Sequence, residues 1–193
     1  MTRVVAGSAK GRRLEVPTAG TRPTSDRARE ALFSSLESEL GALGGWRHVR
    51  FLDLYAGSGA VGLEALSRGA AEVLLVESRP EAARVVRRNL DVVDLPGATV
   101  QVADVERLVR TTAGTRYDVA VLDPPYAVGN DRVGQVLADL AVRGWLAERA
   151  LVVVERASRG EAFGWPPGFE GLRSRRYGEA TMWFGRFGTV AAC

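Results

Sequence analysis

From residue 49 onward, short apolar runs alternate with segments whose apolar residues recur at helical spacing. No other feature limits the possible folds of the chain so much. VRFLDLY, AEVLLVE, ATVQVAD, YDVAVLD and ALVVVE read as strands with few polar side chains. Near-continuous apolar strands are those covered on both faces. Between them, SRPEAARVVRRNLDVV sets Ala82, Val85, Val86 and Leu90 on one side and Arg84, Arg87 and Arg88 on the other. DRVGQVLADLAV, residues 131–142, has the same amphipathic period. Repeated βα units imply a parallel sheet with helices on both faces. The tail GLRSRRYGEATMWFGRF changes to period two and turns near Gly178, which predicts an antiparallel hairpin at the sheet edge.

Ahead of this region the pattern differs. Residues 1–20 alternate with period two, punctuated by Gly7, Gly11 and Gly20, and read as a short β arm with basic side chains at its turn. Residues 21–193 then form the main domain. In TRPTSDRAREALFSSLESEL, Ala28, Leu32, Phe33, Leu36 and Leu40 recur at helical spacing. Thr24 or Ser25 is placed to cap that helix, and Gly41, Gly44 and Gly45 end it.

Residue usage removes several classes of function. The 193-residue chain has one Cys, Cys193, and one His, His48, so a disulfide framework and a Cys-rich zinc site are excluded. With 46% hydrophobic and 25% charged residues, the chain can build a packed core. No apolar run is long enough to cross a bilayer, and MTRVVAGSAKGRRLEV lacks a signal-peptide hydrophobic region, so a soluble, cytoplasmic protein is expected. The net charge of +3 is modest; its placement is more informative. Arg3, Lys10, Arg12, Arg13, Arg22, Arg27 and Arg29 face only Glu15 and Asp26 within the first 29 residues. Arg173, Arg175 and Arg176 cluster near the other end. Arginine suits bidentate contacts to phosphate.

The phrase DLYAGSGAVGLEAL puts Gly57, Gly59 and Gly62 directly after a strand, in the spacing of a nucleoside-cofactor turn. Glycines there permit a tight turn and close approach of backbone to ligand. Glu77 ends the next strand, where a carboxylate can accept both hydrogen bonds of a ribose diol. Asp53 precedes the glycines. A second negative charge there disfavours a pyrophosphate and suits a ligand carrying an ammonium and a sulfonium. Asp104, after the third strand, is placed to reach an adenine amino edge. The pattern favours S-adenosylmethionine over a nicotinamide dinucleotide. The candidate cofactor-binding residues are Asp53, Gly57, Ser58, Gly59, Glu77, Ser78, Asp104 and Val105, and no metal is required.

Asp123-Pro124-Pro125-Tyr126 follows the fourth strand. The prolines lack amide donors and stiffen the chain, so the turn exposes carbonyl acceptors without competing N–H groups. An exocyclic amine on a nucleobase is a poor nucleophile with two N–H bonds. The Asp123 carboxylate and Pro124 carbonyl can accept both, and Tyr126 can stack on the ring. Asp123, Pro124, Pro125 and Tyr126 are therefore the candidate catalytic residues.

RVVAGSAKGRRLEVP, TRPTSDRAREALFSSL, FLDLYAGSGAVGLEALSRGA, VLLVES and LDPPY together resemble the RsmD family, bacterial 16S rRNA guanine-N2 methyltransferases of the class I Rossmann-like type. The first two phrases set this family apart from generic methyltransferases. The resemblance implies a seven-stranded, mostly parallel sheet and S-adenosylhomocysteine as coproduct. It implies methylation of N2 of the guanine at position 966 of 16S rRNA, in an assembling small ribosomal subunit. A monomer is expected, and no membrane partner. Lys10, Arg12, Arg13 and Arg22 become candidate rRNA contacts. The sequence departs from the family pattern in two places: Ala9 and Lys10 fall where many relatives carry a Trp, and Ser78 where many carry Asp. An adenine-N6 or other amino-group methyltransferase acting on RNA or DNA is the nearest alternative, because both targets are aryl amines. A nucleotide-binding oxidoreductase and a noncatalytic RNA-binding protein are more distant ones.

Overall fold

The computed structural model describes residues 1–17, 26–41 and 44–188. Arg22, the proposed caps Thr24 and Ser25, and Cys193 lie outside those residues. The chain divides into two compact units, Met1–Asp104 and Val105–Cys193.

The first unit opens with strands β1 (Thr2–Arg3) and β2 (Arg13–Leu14), paired antiparallel as the period-two reading expects. Helix α1 (Asp26–Gly41) follows. Then come β3 (Arg50–Leu54), α2 (Ala60–Ser67), β4 (Glu72–Glu77), α3 (Pro80–Val93) and β5 (Ala98–Val102). Within this unit the sheet order is β5-β4-β3, all parallel. Leu32, Phe33, Leu36 and Leu40 of α1 are buried, and the Phe33 ring lies 5.5 Å from Trp46 and 6.2 Å from Phe51. Helix α3 begins with Pro80, whose missing N–H costs nothing at a helix start. It ends at Asp94 in the left-handed region, φ 49°.

The second unit contains α4 (Val105–Leu108), β6 (Tyr117–Leu122), α5 (Asn130–Val142), β7 (Leu146–Ala157), β8 (Phe169–Tyr177) and β9 (Ala180–Phe187). Here the order is β6-β7-β9-β8. β7 is parallel to β6, and β9 and β8 are antiparallel. Strands β3–β9 make up one seven-stranded, mostly parallel sheet, the α/β fold expected from the alternation. The C-terminal hairpin turns at Gly178 in the left-handed region, φ 61°.

Three local features differ from the expectation. The strand read as ALVVVE starts earlier, at Leu146, because the register against β6 shifts between Tyr117 and Val119 and absorbs the polar residues 148–149. Leu90 is half-buried rather than buried. A 3-10 turn, Trp46–His48, and the four-residue α4 are too short to leave a periodic trace.

The arm is joined to the first unit by a buried polar network. Both carboxylate oxygens of Glu64 on α2 accept arm amides, Oε2 from Val5 at 2.7 Å and Oε1 from Ala6 at 2.9 Å. Ser67 Oγ accepts the Ala9 N–H at 2.9 Å and donates to the Ala6 carbonyl at 2.6 Å. Gly7 sits against this helix with φ 83°, and a Cβ there would lie 1.9 Å from the Ser67 carbonyl oxygen.

Candidate functional site

In the first unit, apolar packing of β3 and β4 carries two carboxylates to the carboxyl ends of adjacent strands. Asp53 is 3% exposed, and its Oδ2 accepts the Gly62 N–H at 2.8 Å. Burial pushes its carboxyl up to about 7; the Gly62 hydrogen bond opposes the rise, and the charge of Glu77 adds to it. Glu77 is 5% exposed. Its Oε2 accepts the Gly57 N–H at 2.9 Å, and its Oε1 accepts the backbone N–H and the Nε–H of Arg79 at 2.9 and 3.2 Å. Glu77 thus holds the glycine turn at Gly57, and Asp53 holds the first turn of the helix that follows it at Gly62. A carboxylate pair of oxygens offers about four acceptor positions, so Glu77 retains capacity for a ligand hydroxyl.

The turn itself needs its glycines. Gly57 and Gly59 have φ 58° and 77°, and a Cβ on Gly59 would approach Val86 Cγ1 to 2.9 Å. Ser58 is buried, and its carbonyl oxygen accepts a hydrogen bond from Asn89 at 2.9 Å. Ser78 and Asp104 are exposed where β4 and β5 end. Val105 is buried and opens α4 in the second unit. Among the described residues no group of three or more His, Cys, Asp or Glu is placed to hold a metal, and no helix is long and apolar enough to cross a membrane.

In the second unit, Asp123 is half-buried just past β6, Pro124 is buried, and Pro125 and Tyr126 are exposed, Tyr126 by 44%. The Val128 N–H donates to the Pro125 carbonyl at 2.8 Å and closes the turn. Sequence reasoning missed the residue that fixes its far end. Arg156 on β7 is buried, donates from Nε to Asn130 Oδ1 at 2.9 Å, and donates from its guanidinium to the Val128 carbonyl. A lone Arg closing an apolar strand was the available signal, since a buried guanidinium demands acceptors.

The basic residues separate by environment. Lys10 and Arg13 are exposed on the arm. Arg12 instead donates through one guanidinium nitrogen to the carbonyls of Val92 and Val93, at 2.6 and 2.5 Å, and so caps the last turn of α3. On β8, Arg175 and Arg176 are exposed, and the Arg173 guanidinium lies 5.0 Å above the Phe184 ring.

A mostly parallel α/β sheet, a glycine turn after one strand and a carboxylate ending the next define a Rossmann-like, methyltransferase-type fold. The chain belongs to the family described as Conserved hypothetical protein 95, the RsmD family, which matches residues 2–186. It is 36% identical over 154 residues to ribosomal RNA small subunit methyltransferase D of Escherichia coli (strain K12), covering 79% of this chain and 73% of that protein. To the protein of the same name from Haemophilus influenzae it is 32% identical over 157 residues, covering 79% and 77%. Among solved structures, a putative methyltransferase, yhhF, from Escherichia coli superposes with a TM-score of 0.82 at 31% identity, covering 96% of this chain and 97% of that one.

Proposed function

We propose that the chain is an S-adenosylmethionine-dependent rRNA methyltransferase that modifies the exocyclic N2 of a guanine in 16S rRNA. Its substrate is then the small ribosomal subunit or an assembly intermediate. The observation that carries the methyltransferase reading is the buried Glu77 carboxylate on the Gly57 amide, with the buried Asp53 carboxyl on the Gly62 amide of the helix that follows the turn. The rRNA substrate is supported by kinship with the small-subunit methyltransferases D. The choice of guanine N2, and of position 966, rests on the opening phrases of the sequence and on family resemblance.

The residues fit the cofactor. Glu77 has acceptor capacity for a ribose hydroxyl, the Gly57–Gly59 turn admits a ligand close to backbone, and Asp53 offers a buried carboxyl that ionises beside a cation. When bound, S-adenosylmethionine supplies an electrophilic methyl on a sulfonium. Open α/β sheets bind ligands beyond the carboxyl ends of their strands, and both the glycine turn and the Asp123 loop follow such ends. The Asp123 carboxylate and Pro124 carbonyl hold the two N–H bonds of the amine and favour its loss of planarity. Tyr126 stacks on the base. Asp123 or solvent takes the departing proton.

Asp53 gives this reading a pH signature. In the ligand-free chain it holds a proton up to about pH 7. A cationic ligand beside it favours the carboxylate and lowers that value. Binding then releases a proton, so affinity for S-adenosylmethionine rises with pH through the region around 7 and levels above it. Calorimetry in buffers of different ionisation enthalpy measures the release. Asp53→Asn is expected to abolish it, and a pH-independent wild-type affinity would place the cation elsewhere.

The arm is assigned to rRNA backbone. Replacing Lys10 and Arg13 together by Gln is expected to reduce the slope of log affinity against log salt by about 2, through lost counterion release. Filter binding of small subunits across a salt series reads this. An unchanged slope moves the grip to other residues, with Arg175 and Arg176 next in line.

Tritiated-methyl transfer from S-adenosylmethionine to subunits lacking the modification, followed by nucleoside analysis, tests the whole assignment. N2-methylguanosine at one 16S position is the expected product. N6-methyladenosine would select the adenine alternative, because an Asp-Pro-Pro-Tyr loop suits either aryl amine. Guanine N2 lies on the Watson–Crick and minor-groove edge, so the target base must be unpaired or flipped.

A further inference from the structure

The side chain of Asn89 on α3 takes no part in the chemistry above, yet it is fully buried and makes three hydrogen bonds to backbone. Its Oδ1 accepts the Glu15 N–H at 2.8 Å. Its Nδ2 donates one hydrogen to the Glu15 carbonyl and the other to the Ser58 carbonyl, both at 2.9 Å. The orientation of the amide is fixed, because the oxygen must meet the one N–H and the nitrogen the two carbonyls. One planar group therefore spans the end of the arm and the middle of the glycine turn.

The arm also holds the helix that follows the turn. Helix α2 begins directly after Gly59, and Glu64 and Ser67 on that helix hold the arm at Val5, Ala6 and Ala9. Gly7 lies flat on Ser67 between these bonds. Cutting the arm from Asn89 leaves the Asn89–Ser58 hydrogen bond without its anchor at Glu15, and lifting it from α2 frees the helix that carries the turn from its contacts at Glu64 and Ser67.

We propose that Asn89 is a positioning residue that couples the seating of the N-terminal arm to the conformation of the Gly57–Gly59 turn. The arm is thereby part of the cofactor-binding apparatus as well as an RNA contact. This rests on the reading of that turn as the S-adenosylmethionine site. Coupling of this kind is reciprocal, so RNA that orders the arm tightens the cofactor, and cofactor tightens the arm.

The test uses the full chain and S-adenosylhomocysteine in calorimetry. Asn89→Asp keeps the shape and the acceptor for the Glu15 N–H, but turns an oxygen toward two carbonyls. Gly7→Ala forces the arm off Ser67 and touches neither Asn89 nor the turn. Each is expected to weaken binding about fivefold or more, and the double variant to weaken it by less than the product of the two, because both break one linkage. Amide exchange supplies a readout that lost stability alone would not move. In the wild-type chain S-adenosylhomocysteine is expected to slow exchange across residues 3–17 relative to β8 and β9; in Asn89→Asp that selective slowing disappears. Unchanged affinity in a Gly7→Ala chain whose arm amides exchange faster would overturn the linkage alone. A wild-type chain that does not bind S-adenosylhomocysteine would overturn the cofactor reading and the linkage with it.

Discussion

Asp123→Ala is expected to leave affinity for S-adenosylmethionine within about twofold and to slow single-turnover methyl transfer by about 10²–10⁴-fold, the range for loss of a positioned acid–base group. The size follows from the demand on this carboxylate. A nucleobase amine donates its lone pair into the ring, and transfer requires that the nitrogen give up that conjugation while its hydrogens are held. Asp123 is half-buried at the end of an apolar strand, and the loop beyond it is tied down by Arg156 at Val128 and Asn130. An acceptor held in this way loses little freedom when the substrate arrives. Asp123→Asn keeps an acceptor of the same shape but not the charge, so its rate should fall between wild type and Asp123→Ala. Tyr126→Ala should behave differently. An exposed ring that stacks on a base contributes about 1–3 kcal/mol, which belongs mainly to substrate affinity. Rapid-quench measurements at saturating cofactor separate the two effects. Wild-type rates in Asp123→Ala would remove this loop from the mechanism.

The sheet was legible in the sequence because each of its strands is a short run flanked by a change of period. Asp53, Leu54 and Glu77 shift from apolar run to turn at the places where β3 and β4 end. The positions of Asp53, Gly57, Gly59 and Glu77 at strand ends and in the turn between were readable for the same reason. Their contacts were not. That Glu77 holds the Gly57 and Arg79 amides, and Asp53 the Gly62 amide, depends on side-chain directions that spacing does not report. Arg12 shows the limit most plainly. Within a run of basic residues it reads like its neighbours, yet it caps α3 eighty residues away. Arg156, Asn89 and Glu64 were passed over for a related reason. Each is a polar residue in or beside a stretch read for its glycines or its apolar residues, and its importance arises only from the buried groups brought to it by tertiary structure.

Glu64→Ala is expected to destabilise the chain by about 3–5 kcal/mol, the cost of removing one partner from a buried ion pair. Glu64 and Arg29 are both fully buried, with Arg29 Nε 3.7 Å from Glu64 Oε2. Glu64 also accepts Arg68 Nε at 2.9 Å and the amides of Val5 and Ala6. Arg29 has further acceptors in Thr2 Oγ1, the Arg3 carbonyl and Asp26, but Asp26 is partly exposed and cannot replace a buried countercharge. The variant therefore leaves the fully buried Arg29 guanidinium without its buried countercharge, and takes the carboxylate from Arg68 and from the half-buried Val5 and Ala6 amides. Glu64→Gln should cost less than Ala, because it preserves volume and one acceptor oxygen, but more than a surface change. The control is Glu72→Ala, which removes the half-exposed partner of Arg50 at 3.4 Å and should cost about 0–1 kcal/mol. Urea unfolding followed by tryptophan fluorescence ranks the three. Equal midpoints for Glu64→Ala and Glu72→Ala would mean that the arm leaves α2 without disturbing the core, and that the network joining residues 2–9 to Glu64 contributes to the placement of the arm rather than to the stability of the fold.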